Sequence, residues 1–257
     1  MPNWTREEEI VVFDLYCRIP FKRTSKNHPD VIRIAKIIGR TPSAVSMKIG
    51  NFGSFDENLR QQGIFGLTNA SKLDKEIWDE FNERWDELSL LSEQIIAKKT
   101  GNYLPYNNSS SDSIDISLSV PLGKEKNVIV KQRVNQTFFR NTVLASYNST
   151  CCVTGLSTAE LLVASHIKPW RDCTEVERTN PHNGLCLNAL HDRAFDRGFM
   201  TVMPNGKIRI SKVLKACNEE IAYKYFWCYD NTNIRFPEKF MPDKAFLEYH
   251  NDIIFAK

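Results

Sequence analysis

The chain has no run of 18 consecutive apolar residues, no C-x-x-C pair and no internal repeat. The first absence excludes an apolar membrane-spanning helix, and the second leaves neither a zinc knuckle nor a disulfide framework signalled. Its seven cysteines, at positions 17, 151, 152, 173, 186, 217 and 228, are therefore read as reduced thiols, and no structural zinc is expected. The start MPNWTREEEI is charged from its sixth residue, where a signal peptide would continue into an apolar stretch, so a cytoplasmic protein is expected. Strong net charge is also missing: 34 Lys and Arg against 31 Asp and Glu leave +3, too little to announce nucleic acid by itself. What is present is an ordinary globular composition, 42% hydrophobic, 11% aromatic and 25% charged, over 257 residues, which suits two domains better than one.

The charge is unevenly distributed. Residues 1–54 carry nine Lys and Arg against five Asp and Glu, whereas residues 72–93 carry three against eight. Within the basic head, Thr5 and Glu8 form a capping box that starts a helix, which Pro20 stops. Val31, Ile34, Ala35 and Ile38 make a second amphipathic stripe that Gly39 ends, and Thr41 with Pro42 opens a third helix at once. Ala35, Gly39 and Val45 fall at the spacing of a helix-turn-helix unit. In that frame the third helix enters the major groove of duplex DNA with Arg40, Ser43, Ser46, Met47 and Lys48 on or near its exposed face. The frame prefers an apolar residue at Lys48, so a plain helical hairpin stands as the alternative.

Leu73, Ile77, Phe81, Trp85 and Leu88 predict one long acidic helix over 72–98. The polar stretch NYLPYNNSSSDSID then predicts a linker, taken as 101–125, between a helical domain at 1–100 and a second domain at 126–257. That second domain reads as strand-like NVIVKQRV, helix-like VNQTFFRNTVLASY, a CCVTG strand and turn, a strand ELLVASHIKPW ending at His166, a polar loop, a short strand within NPHNGLCL, and a helix from near Asn188 to Gly198. The C-terminal segment containing His250 reads as a core-covering helix.

Strand, loop, strand and helix thus carry His166, Asn183 and His191 in the order His, Asn, His. The segments AxHIKPW, NPxNGLCL and LHDRAFDRG resemble the HNH, or ββα-metal, endonuclease family. The run RVNQTFFRNTVLASYNSTCCVTG is similar to its bacterial restriction subgroup, and WTREEEIVVFDLY with GRTPSAVSMKIGNF resembles segments that accompany such domains. The resemblance implies an α+β protein with a helix-turn-helix-like head and a ββα-metal nuclease, cleaving double-stranded DNA with a divalent cation, Mg²⁺ or Mn²⁺. It implies His166 as general base, Asn183 as the residue orienting the loop or the His166 ring, and His191 as metal ligand.

Hydrolysis of a phosphodiester fits those residue types. A neutral imidazole can take a proton from water, and a cation opposite can stabilise the developing charge and the leaving oxygen. Asp192 and Asp196 could ligate the cation, cap the helix or pair with Arg193 and Arg197. Lys168, Arg171 and Arg140 are expected to hold phosphates. The resemblance has two departures. Ser165 stands where many members have an acidic or imidazole ligand before the base, and the paired zinc cysteines are missing, with Cys152 and Cys186 expected in the core. Ser165 motivates an alternative reading, a DNA-binding regulator with an inactive fold. A low-specificity repair or toxin nuclease is a third. A duplex cut needs two active sites or two visits, which motivates a homodimer.

Overall fold

The computed structural model describes residues 3–101, 124–216 and 219–256. Nearly all of the expected linker at 101–125, and Cys217, lie outside the described residues. No helix among the described residues is long and apolar enough to cross a membrane.

The first helix, α1 (Arg6–Arg18), starts at the Thr5–Glu8 capping box and is buried from Glu8 to its end. Helix α2 (Pro29–Ile38) ends where Gly39 takes φ +73°, a conformation that costs glycine little, and α3 (Pro42–Gly53) restarts under a Thr41 cap. After the short α4 (Glu57–Gln61), the expected single acidic helix is broken into α5 (Lys72–Phe81) and α6 (Trp85–Thr100). The break falls at Asn82, Glu83 and Arg84, with Glu83 at φ +78°. These three polar residues add no apolar signal, so the spacing from Phe81 to Trp85 reads straight through the interruption.

Helix α7 (Lys124–Ser146) corrects a second expectation: NVIVKQRV is its N-terminal part, not a strand. The strand preference of Val128, Ile129 and Val130 yields to continuation of the helix that follows. CCVTG is a turn rather than a strand, closed by Gly155 N–H donating to the Cys151 carbonyl at 2.9 Å. Strand β1 (Leu162–His166) pairs antiparallel with β2 (Gly184–Asn188), with His166 opposite Gly184; α8 (Glu175–Thr179) lies in the connecting loop, and α9 (Ala189–Asp196) follows β2. A small hairpin, β3 (Met200–Val202) and β4 (Ile208–Ile210), then α10 (Glu219–Tyr225), α11 (Lys244–Tyr249) and a π turn at His250–Ile254 complete the described chain.

Two hydrophobic cores result. One is built on α1, α2, α3, α5 and α6; the other lies between α7, the β1–β2 pair, α9 and the β3–β4 hairpin. They meet through α7 and the segment before α11. Phe138 and Phe240 belong to the first core, both close to Trp85. The buried Lys239 ammonium donates to the carbonyls of Tyr16, Cys17 and Ile19, satisfying the open C-terminal end of α1. The helical head and the ββα unit are therefore packed against each other.

Candidate active site

The loop between β1 and β2 is fastened by one fully buried amide. Asn183 Oδ1 accepts from the Lys168 N–H at 2.8 Å, and its Nδ2 lies 3.3 Å from the carbonyls of Lys168 and Glu177. This satisfies backbone groups that would otherwise be stranded inside a short loop. It also fixes the segment that turns back over His166.

His166, at the end of β1, lies flat on Phe139, with ring centroids 3.8 Å apart and planes 10° apart, and edge-on to Trp170 at 5.5 Å. Its Nε2 is 3.0 Å from the Arg178 carbonyl. A carbonyl only accepts, so Nε2 carries the proton of the neutral ring and Nδ1 keeps its lone pair. Nδ1 has no hydrogen bond among the described residues. Burial pushes the imidazole pKa down to about 4, against the partial help the carbonyl gives the charged form. The ring is therefore neutral throughout the physiological range.

His166 opens onto a cleft of about 840 Å³ that is also lined by Ser165, Arg171, Asp192, Arg193, Asp196 and Arg197. Asp192 and Asp196 are one turn apart on α9, so both carboxylates reach the same wall. Burial is the main cause that raises the Asp192 carboxyl, eased by Ser165 and Arg193; the Ser165 hydroxyl is buried and completes no hydrogen bond among the described residues. Partial desolvation and then the neighbouring Asp192 raise Asp196. Neither makes an ion pair within 4 Å among the described residues, although Arg193 and Arg197 contribute a favourable field. The cleft thus holds two oxygen-donor groups whose negative charge is incompletely compensated. Such a pair fits a hard divalent cation that completes its shell with water and phosphate oxygens. No group of three or more His, Cys, Asp or Glu side chains among the described residues could hold a metal without such help.

His191 departs from the expectation. It is 2% exposed and points away from this wall: Nδ1 lies 3.1 Å from Asn188 Nδ2 and Nε2 lies 2.8 Å from the Tyr225 carbonyl, with Phe226 and Tyr229 edge-on to the ring. Nδ1 is engaged at the N-cap of α9, and Nε2 ties the start of that helix to α10. The reason is helical phase. One residue along α9 turns a side chain by about 100°, so Asp192, not His191, reaches the cleft.

The basic residues divide in the same way. Arg171 is at the cleft with 80% of its side chain exposed. Lys168 instead pairs with Glu177 at 2.8 Å, and Arg140 is half-buried outside the cleft, where its charge acts on the Cys186 thiol. Arg193 and Arg197 are exposed at the cleft and were not singled out as phosphate contacts; their pairing in sequence with Asp192 and Asp196 masked them. In the head, Arg40 donates to Glu8 at 2.7 Å and Lys48 is buried between Glu9 and Asp74, so neither stands on an exposed reading face. Ser43 and Met47 are exposed and Ser46 half-exposed, so the outer face of α3 is short and uncharged. Lys48 occupies the inward position that the helix-turn-helix spacing reserves for an apolar residue. Cys152 and Cys186 are fully buried in the second core.

Residues 151–203 match the model of a family described as HNH endonuclease, a span that includes β1, the fastened loop, β2, α9 and β3. No curated protein matches the chain.

Proposed function

We propose that the chain is a divalent-cation-dependent endonuclease that hydrolyses phosphodiester bonds of double-stranded DNA, with His166 as the general base. The observation that carries this reading is the cleft itself, where a neutral imidazole, its Nδ1 unengaged among the described residues, shares one wall with two carboxylates and exposed arginines. Water at Nδ1 would lose its proton to His166, whose orientation is set by Phe139 and by the Arg178 carbonyl. Asn183 is a positioning residue, because it holds the loop that supplies that carbonyl. Arg171, Arg193 and Arg197 would draw in the phosphates. Asp192 and Asp196 are the residues that would hold Mg²⁺ or Mn²⁺, which when bound supplies positive charge against the developing oxyanion and the leaving 3′ oxygen.

Against the inactive-fold alternative, Asp192 places a carboxylate at the wall where Ser165 stands. The restriction context rests on sequence resemblance and on the packing of the helical head against the nuclease unit, an arrangement suited to coupling recognition with cutting. Conversion of supercoiled plasmid to nicked or linear DNA tests the reading, run with Mg²⁺, Mn²⁺ or excess chelator on unmodified, methylated and hydroxymethylated DNA. Cleavage that needs the cation supports it. Undiminished cleavage under chelation, or no cleavage of any substrate, contradicts it. With oxygen donors and no imidazole at the cation, Mg²⁺ is expected to serve as well as Mn²⁺.

A further inference from the structure

Behind Trp170 lies a second, smaller cavity, of about 150 Å³, between α7 and α8. Trp170 is a wall common to this cavity and to the cleft that contains His166. Its lining is polar but nearly neutralised. Lys131 Nζ lies 3.4 Å from Glu175 and 3.9 Å from Asp86, and the Arg178 guanidinium sits over the Trp170 ring at 5.1 Å while its Nε donates to the Trp170 carbonyl. Asp86 and Glu175 together balance the charges of Lys131 and Arg178, so an anion gains little here. Uncommitted hydrogen-bonding groups are available instead. The Thr179 hydroxyl is buried and has no partner among the described residues. Asn135 Oδ1 accepts from Ser89 at 2.9 Å, which leaves its Nδ2 to donate. Gln132 adds an exposed amide at the rim.

A compact space with a flat cation–aromatic stack, a donor amide, a hydroxyl and no net charge has the chemistry that recognises a neutral planar heterocycle. We propose that this cavity takes one unpaired base of the DNA substrate, drawn out of the duplex beside the cleavage site. The inference rests on the endonuclease reading and deepens it. Arg178 and Trp170, which line the cavity, are also the residues that hold and flank His166. A base seated against them is thereby linked to the position of the general base, which couples base identity to cutting.

The test places 2-aminopurine in turn at each position flanking the mapped cleavage site, with Ca²⁺ replacing Mg²⁺ to hold the uncut complex. Fluorescence of the wild type is expected to rise at one position. Thr179→Val, which keeps the shape, and the rim variant Gln132→Ala are expected to lose most of that rise and to lower kcat/KM about five- to tenfold, with melting temperatures near wild type. A mismatch that leaves the same base unpaired should recover part of the loss. DNA that is bound and cut with no rise at any position, or both variants cutting as wild type, would overturn the cavity assignment alone. A wild type that neither binds nor cuts DNA would overturn the endonuclease reading, and this inference with it.

Discussion

The two halves of the molecule treat charged groups in opposite ways. In the helical head nearly every inward acid has a cation within reach: Lys48 lies between Glu9 and Asp74, Arg18 between Asp14 and Glu93, and Arg40 against Glu8. Burial still lifts the Glu9 and Glu93 carboxyls to about 7, but their charge is answered within the fold. At the cleft Asp192 and Asp196, one turn apart on α9, make no ion pair within 4 Å among the described residues, and His166 Nδ1 has no hydrogen bond among them. The head uses charge to specify how helices pack. The cleft leaves charge to be completed from outside, which is the arrangement expected where a substrate and a cation meet.

This contrast can be broken from either side. The largest expected effect is in the head. Lys48→Met leaves Glu9 and Asp74 without their shared cation and should cost about 3–5 kcal/mol in denaturant unfolding, the scale for removing one member of a buried ion pair. A cost below about 1 kcal/mol would show that Lys48 is dispensable to the head. At the cleft the opposite pattern is expected. Asp196→Asn should lower plasmid cleavage by about 10²-fold while the melting temperature holds or rises, because the amide no longer carries a charge that partial burial and the neighbouring Asp192 disfavour in the folded state. A lowered melting temperature with cleavage retained would assign Asp196 to the scaffold.

Smaller effects come from pH. The Glu93 carboxyl, raised to about 7 from an ordinary value of 4.5, contributes stability at low pH that is lost as pH rises through about 7. Glu93→Gln should therefore gain on wild type in denaturant unfolding between pH 5 and pH 8, and a difference that stays constant would contradict the assignment. His166 and His250 have the opposite sign. Burial lowers both to about 4, so their contribution is full above about 6.5 and is lost as pH falls through 4. Histidine ring NMR signals should show both neutral at pH 6; a midpoint near 6.5 for His166 would place it in an exposed setting.

Much of this was legible in the residues. The Thr5–Glu8 box, the Gly39 turn and the Thr41–Pro42 restart are local signals, each acting within a few residues, and the head follows them. His166 and Asn183 sit where strand and loop punctuation put them. Legibility failed where position depends on contacts distant in sequence. The phase of α9 decides that Asp192 rather than His191 meets the cleft, and that phase is set by the packing of Ala194 and Phe195 into the second core. Lys48 looked like a surface cation because its partners, Glu9 and Asp74, come from two other helices. Gly198 shows a similar limit: it reads as a helix stop, and it is one at φ +70°, but a Cβ there would also lie 2.0 Å from the Ile254 carbonyl, so it lets the π turn close against the end of α9.

The central claim is that the cleft face of α9, not its buried face, carries the chemistry with His166. The most direct measurement is a side-by-side plasmid-nicking rate for Asp192→Asn and His191→Gln at saturating Mg²⁺, well below either melting temperature. Asp192→Asn is expected to fall by about 10²-fold or more with its fold intact, and His191→Gln to stay within tenfold of wild type while losing about 1–3 kcal/mol of stability. The reverse result, full activity without the Asp192 carboxylate and none without the His191 imidazole, would contradict the account.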